Sequence, residues 1–299
     1  MIEDQDFLPV SQDEMHERGW WWYDFLLVTG DAYVDHPSFG PAVISRVLEA
    51  DGFRVAVLAQ PDWHDAEAFR AMGRPRLGVF IGAGNLDSMV AHYTAAKKRR
   101  SEDFYSPGKK AGLRPDRATI VYSNRAREAF GADVPIIIGG LEASLRRFAH
   151  YDYWDDKVRR SILVDSGADM LVYGMAEYAE REIARRLKKK IPVSEMRDIR
   201  GTAFLAHDAS ECEFDSVTLP SFADVCDSKR FYADATRIEY AEHDPVRGRA
   251  LIQEHDGRYL IVNPPAMPLE TKELDRVAEL PYTKQYHPMY EPLGGVPAI

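Results

Sequence analysis

Four short apolar runs in this chain stop on glycine: Phe25–Thr29 before Gly30, Leu77–Ile81 before Gly82, Pro135–Ile138 before Gly139 and Gly140, and Met170–Tyr173 before Gly174. Runs this short and this continuously apolar suit strands covered on both faces. Arg54–Ala59 and Ala118–Tyr122 read as further strands. Phe39–Ala50 places Val43, Ile44, Val47 and Leu48 at helical spacing, with Ser38 as its N-cap and Gly52 beyond its end. Asp65–Met72 reads as a second helix, and Glu177–Lys189 as an amphipathic one with Tyr178, Ile183 and Leu187 inward.

This alternation predicts an α/β fold over residues 23–190: a doubly wound, mostly parallel, Rossmann-like sheet with helices on both faces. Residues 1–22 form a polar lead-in, ending in Trp20, Trp21 and Trp22, which suit a core cap or a domain contact. The pattern loosens over 191–263, an irregular α+β extension: a strand at Thr202–His207, a helix started by Ser221, a helix over Phe231–Glu242 and a strand at Tyr259–Val262. Residues 264–299 are Pro-rich and read as a linker, apart from a helical stretch at Thr271–Glu279.

A net charge of −10 argues against a non-specific nucleic-acid coat. No run of about 18 apolar residues is present, so no membrane span is expected. The acidic start lacks an apolar signal region, and the two cysteines, Cys212 and Cys226, fit no zinc or cluster spacing. These features predict a cytoplasmic location.

Ligands of parallel α/β sheets lie outside the carboxyl ends of the strands. The densest polar stretch there is TGDAYVDHPSFG, with Thr29, Gly30, Asp31, Asp35, His36, Ser38 and Gly40 as candidate cofactor-binding residues. It enters a helix N-terminus, which favours anions. A self-satisfied turn is the other reading. Gly139, Gly140, Glu142, Arg146 and Arg147 open a second stretch that continues through His150–Arg160. Its arginines and aromatics suit an anionic or stacked ligand, a salt-bridged surface helix or a docking face. Gly174 and Glu177 complete the set. A basic insertion from Lys97 to Arg117 could gather RNA or nucleotide phosphate. No metal ligands, nucleophile or catalytic pair can be assigned.

The runs TGDAYVDHPSFGPAVISRVLEADGFRVAVLAQPDW, IIGGLEASLRRFAHYDYWDDKVRRSIL, LVYGMAE and ELPYTKQYHPMYEPLGGVPAI resemble the N-terminal region of YgiQ-type radical S-adenosylmethionine proteins, from about Phe7 to Ile299. More distantly, the order of motifs is similar to cobalamin-binding-type Rossmann domains. The D-x-H-x-x-G cobalt-ligating motif is not matched, because Asp35 and His36 are adjacent. The resemblance implies a downstream barrel whose C-x-x-x-C-x-x-C loop holds a [4Fe–4S] cluster and S-adenosylmethionine. It implies that this chain alone performs no radical chemistry. The expectation is a module shaping the substrate or cofactor cavity, partnered by a radical S-adenosylmethionine catalytic domain in cis or as a separate chain, with a small molecule or RNA as substrate. The alternatives are a stand-alone nucleotide- or corrinoid-binding module and a docking scaffold.

Overall fold

The structure, a computed structural model, describes residues 6–299. Along the chain run α1 (Gln12–Glu17), β1 (Phe25–Thr29), β2 (Val34–Asp35), α2 (Gly40–Ala50), β3 (Val55–Ala59), α3 (Glu67–Arg70), β4 (Gly78–Gly82), α4 (Ser88–His92), α5 (Ala118–Phe130), β5 (Ile136–Ile138), α6 (Gly140–Leu145), β6 (His150–Asp152) and β7 (Lys157–Arg159). They are followed by α7 (Ile162–Ser166), β8 (Met170–Val172), α8 (Glu177–Lys188), β9 (Thr202–Ala206), β10 (Ser216–Thr218), α9 (Phe222–Asp227), α10 (Lys229–Ala241), β11 (Ala250–His255), β12 (Arg258–Val262), α11 (Thr271–Ala278) and β13 (Gln285–Tyr286). The chain forms two compact units. The first takes the residues up to Ile136, Gly140–Glu142 and Leu269–Ile299; the second takes Ile137–Gly139 and Ala143–Pro268.

In the first unit β1 lies between β3 and β4 and runs parallel to both. All five β1 residues are buried, which explains its unbroken apolar run. The Phe25 ring meets Phe53 at 5.4 Å and Phe80 at 5.1 Å between centroids. Truncating such a ring to alanine costs about 4 kcal/mol. Pro41 pre-sets the first turn of α2, whose inward face is Ala42, Ser45, Arg46, Val47 and Leu48, packed on β1 and β3. β13 returns to pair antiparallel with β2, Gln285 opposite Asp35 and Tyr286 opposite Val34.

In the second unit β5 and β8 are parallel, β8, β9, β12 and β11 pair antiparallel in turn, and β10 joins β11 in parallel. Phe204, Ala206, Ile252 and Ile261 form its inner cluster. The α/β architecture is thus the one expected, with the antiparallel mixing after β8.

Several local expectations are corrected. Ala118–Tyr122 is not a strand but the first part of α5, whose buried Ala118, Thr119, Tyr122, Ser123, Ala126 and Phe130 recur at helical spacing. The stretch after Arg147 is not a helix: β6 and β7 form a hairpin across Asp152–Lys157. Phe39, not Ser38, stands at the N-cap of α2, because the Ser38 hydroxyl bonds His36 instead. Tyr178 is exposed, while Ala179 and Glu180 take the inward places on α8. Residues 269–299 pack into the first unit rather than running as a linker. Trp22 lies under two guanidinium groups, Arg54 at 4.0 Å and Arg76 at 4.1 Å from its centroid, while Trp21 stays exposed. No helix among the described residues is long and apolar enough to cross a membrane.

Candidate functional site

Each unit carries part of the predicted residue set at the carboxyl ends of its strands. Thr29, Gly30, Asp31, Asp35, His36, Ser38, Gly40, Gly140 and Glu142 belong to the first unit; Gly139, Arg146, Arg147, Gly174 and Glu177 belong to the second.

In the first unit the chain turns inward as it leaves β1. The Gly30 N–H donates to the Gly82 carbonyl at 3.2 Å, and a Cβ on Gly30 would fall 2.2 Å from the Ala83 oxygen. Residues 30–35 are consequently all buried. Thr29 Oγ1 accepts the Asp31 N–H at 3.2 Å. Asp31 Oδ2 accepts the Asn85 N–H at 2.6 Å, and Oδ1 stands 2.8 Å from Arg114 Nη1. Arg114 Nη1 also donates to the Ala83 carbonyl at 3.2 Å. Arg114 has no exposed surface and also donates from Nη2 to Asp103 at 2.8 Å. Burial pushes the Asp31 carboxyl up to about 6, against the pull of Arg114 and the Asn85 N–H.

Asp35 accepts from Arg46 Nε at 3.1 Å and from the Thr283 N–H at 2.9 Å. The two acids of the loop are therefore each committed to a buried arginine. Only His36, Pro37, Ser38 and Gly40 of the loop reach the surface, with His36 Nδ1 2.7 Å from Ser38 Oγ and the Gly40 N–H on Asn85 Oδ1 at 3.4 Å. Glu142 is fully buried and accepts the N–H groups of Ser88, at 2.8 Å, and Thr119, at 3.0 Å.

Sequence reasoning missed His92. Its Nδ1 meets Asp116, which also accepts the Tyr93 hydroxyl at 2.7 Å, while its buried Nε2 has no partner. The adjacent His92-Tyr93 pair ahead of the basic insertion was the available signal. Asp103 and Arg114 left none, because no local spacing ties either of them to Asp31.

In the second unit Gly139 ends β5, and a Cβ there would stand 3.6 Å from Glu180 Oε1. Glu180 is buried, its Oε2 has no hydrogen-bond partner, and burial beside Glu177 holds its carboxyl well above the usual range. Glu177 Oε2 is likewise unpartnered. The Gly174 N–H donates to Ser144 Oγ at 3.4 Å. Arg146 is buried, its carbonyl accepting the Ile162 N–H at 2.8 Å. Arg147 donates from Nη1 to the Ser144 carbonyl, with its guanidinium 4.9 Å from the Phe148 centroid and 4.8 Å from that of Tyr173.

Three thiolates hold a [4Fe–4S] cluster of the kind the resemblance implies. The chain has two cysteines, both free thiols, and among the described residues no group of three or more His, Cys, Asp or Glu is placed to hold a metal ion. The residues present do not fit that cluster.

The chain is similar over residues 7–299 to the family described as radical SAM N-terminal. It is 56% identical over 298 residues to a UPF0313 protein of Clostridium perfringens (strain SM101), covering 100% of this chain and 45% of that protein. A UPF0313 protein of Clostridium botulinum (strain 657) is 52% identical over 298 residues, covering 100% of this chain and 46% of that protein. The chain thus spans about half the length of the curated relatives it matches. A solved structure of the radical S-adenosylmethionine methyltransferase TsrM from Kitasatospora setae, with tryptophan substrate and a SAM analogue bound, matches with a TM-score of 0.40 and 19% identity. That match covers 60% of this chain and 28% of the methyltransferase. By the family match over residues 7–299, the chain belongs to the radical SAM N-terminal family.

Proposed function

We propose that this chain is the N-terminal module of a longer radical S-adenosylmethionine protein, and that it presents binding surface to a catalytic domain in the same polypeptide. The observation that carries this reading is one of coverage: the family match fills residues 7–299, yet the chain accounts for 45% of a relative 56% identical to it. In this reading the cluster and S-adenosylmethionine belong to polypeptide outside residues 1–299, where reductive cleavage of S-adenosylmethionine supplies the radical. Cobalamin held through His36 is not part of it, because the D-x-H-x-x-G ligating motif is unmatched.

The module's own residues bind and orient. On the first unit, His36, Pro37, Ser38 and Gly40 are the part of the loop after β1 that a ligand can touch. On the second, Gly139, Gly174, Glu177 and Arg147 sit where the parallel strands β5 and β8 end. A small organic substrate fits these short polar edges better than an extended RNA, given the net charge of −10. Two isolated free thiols suit a reducing compartment, so the reading assigns the protein to the cytoplasm.

Anaerobic reconstitution with iron and sulfide tests this, using the full-length relative-sized polypeptide beside residues 1–299. The longer protein is expected to gain iron–sulfur absorbance and to cleave S-adenosylmethionine, and residues 1–299 alone to do neither. A full-length protein that takes up no cluster overturns the reading. With the cluster in place, Glu177→Gln and His36→Ala are expected to leave its absorbance intact and to alter substrate-dependent turnover.

A further inference from the structure

A narrow cleft, with room for about one water-sized group, opens in the second unit, lined by Arg147, Phe148, Tyr173, Glu239, Arg249 and Asn263 among others. A space of that size admits the charged tip of a ligand from its open side rather than a drug-sized body. Arg147 is its unusual member. The guanidinium offers five N–H donors, yet Nη1 alone is engaged, on the Ser144 carbonyl, and the buried Nε has no partner. Among the described residues no carboxylate forms a salt bridge with it. The rings of Phe148 and Tyr173 flank it at 4.9 and 4.8 Å. Cation–π contacts of this kind offset only part of the cost of withdrawing an unpaired ion from water. Desolvation accordingly lowers the affinity of Arg147 for its proton. The other cation of the cleft is already matched: Arg249 donates from Nε to Glu242 at 3.2 Å. The Tyr173 hydroxyl is committed to the Asn263 carbonyl.

We infer that this cleft binds the monoanionic carboxylate group of a ligand, taken by the unpaired guanidinium of Arg147 between the Phe148 and Tyr173 rings. The charge balance favours one negative charge over two. Glu239 shares the cleft, and burial pushes its carboxyl up to about 7, with Arg147 pulling the other way. A protonated Glu239 can donate to a carboxylate, whereas an ionised one repels it. Arg147, Glu242, His243, Arg249 and Tyr173 are the other charged or titratable groups that line the same space, and Glu242 would further repel a dianion such as phosphate. The inference does not rest on radical chemistry, so it stands or falls apart from the functional reading above.

The test is a titration of the whole chain with sodium butyrate at constant ionic strength, following the Arg147 Nε–H resonance by NMR. A saturable shift of that resonance, absent with sodium chloride, is expected. Affinity should fall up to about tenfold for each pH unit above the Glu239 value. Glu239→Gln should bind butyrate with that pH dependence removed; a Glu239→Gln variant that keeps it would overturn the role given to Glu239. No saturable shift with butyrate, or an equal shift with chloride, overturns the site. Tighter binding of inorganic phosphate than of butyrate overturns the carboxylate assignment. Both decisive readings use the unmodified chain, so neither depends on an Arg147 variant folding.

Discussion

Gly84 stands where any side chain would collide with the Asp31 carboxylate: a Cβ on it would fall 2.1 Å from Asp31 Oδ1. The glycine lets the Asp31–Arg114 pair close. Its φ of +108° is also one that side-chain-bearing residues rarely adopt. Gly84→Ala combines a clash with backbone strain and should cost about 3 kcal/mol or more. The denaturant midpoint should fall with an unchanged m-value.

Asp31 gives the fold a pH dependence of definite sign. Its folded-state value of about 6 lies above its ordinary 3.8, so the folded chain holds the proton after the unfolded chain has lost it. Its contribution to stability is present below about 3.8 and is lost as the pH rises to about 6. Chemical denaturation across that window should show Asp31→Asn losing less stability with rising pH than the natural chain. Parallel curves for the two proteins would remove Asp31 as the source.

His255 works in the opposite direction. Burial lowers its value to about 4, and its ring stacks on Phe222 at 5.4 Å with Nε2 3.1 Å from Gln253 Oε1. Its contribution is intact above the ordinary 6.5 and lost as the pH falls to about 4. His255→Gln should flatten that acid limb of the stability profile while lowering stability at neutral pH.

The strands that end on glycine were legible because burial on both faces writes an unbroken apolar run into β1, β4, β5 and β8. Ser221 likewise announced α9, with its hydroxyl accepting the Asp224 N–H. Ala118–Tyr122 misled because five apolar residues fit a buried strand and a buried helix turn alike. The helix shows only in the continuation to Phe130. The loop from Gly30 to Gly40 was visible as a polar concentration. Its division into an inward half, held by Arg46 and Arg114, and an outward half at His36–Gly40 was not. Arg46 is 11 positions from Asp35 and Arg114 is 83 from Asp31, and no local pattern links them.

The tail offers a sharper handle. Tyr290 Oη accepts the buried Tyr33 N–H at 3.0 Å. Tyr290→Phe leaves that donor without a partner and should cost about 2 kcal/mol. Hydrogen exchange should show faster exchange at Tyr33 and across residues 285–293, with the second unit unchanged.

The pairing of β13 with β2 also sets a timetable. During synthesis, residues 143–268 leave the ribosome complete while the earlier-made residues 6–136 still lack the segment 269–299 that closes around Val34 and Asp35. The part of the chain made first is therefore finished last, and until then the apolar surface around Tyr33 is open to chaperones and proteases. A nascent chain halted before Gln285 should be cut within its oldest residues, and one extended past Ile299 should be protected there.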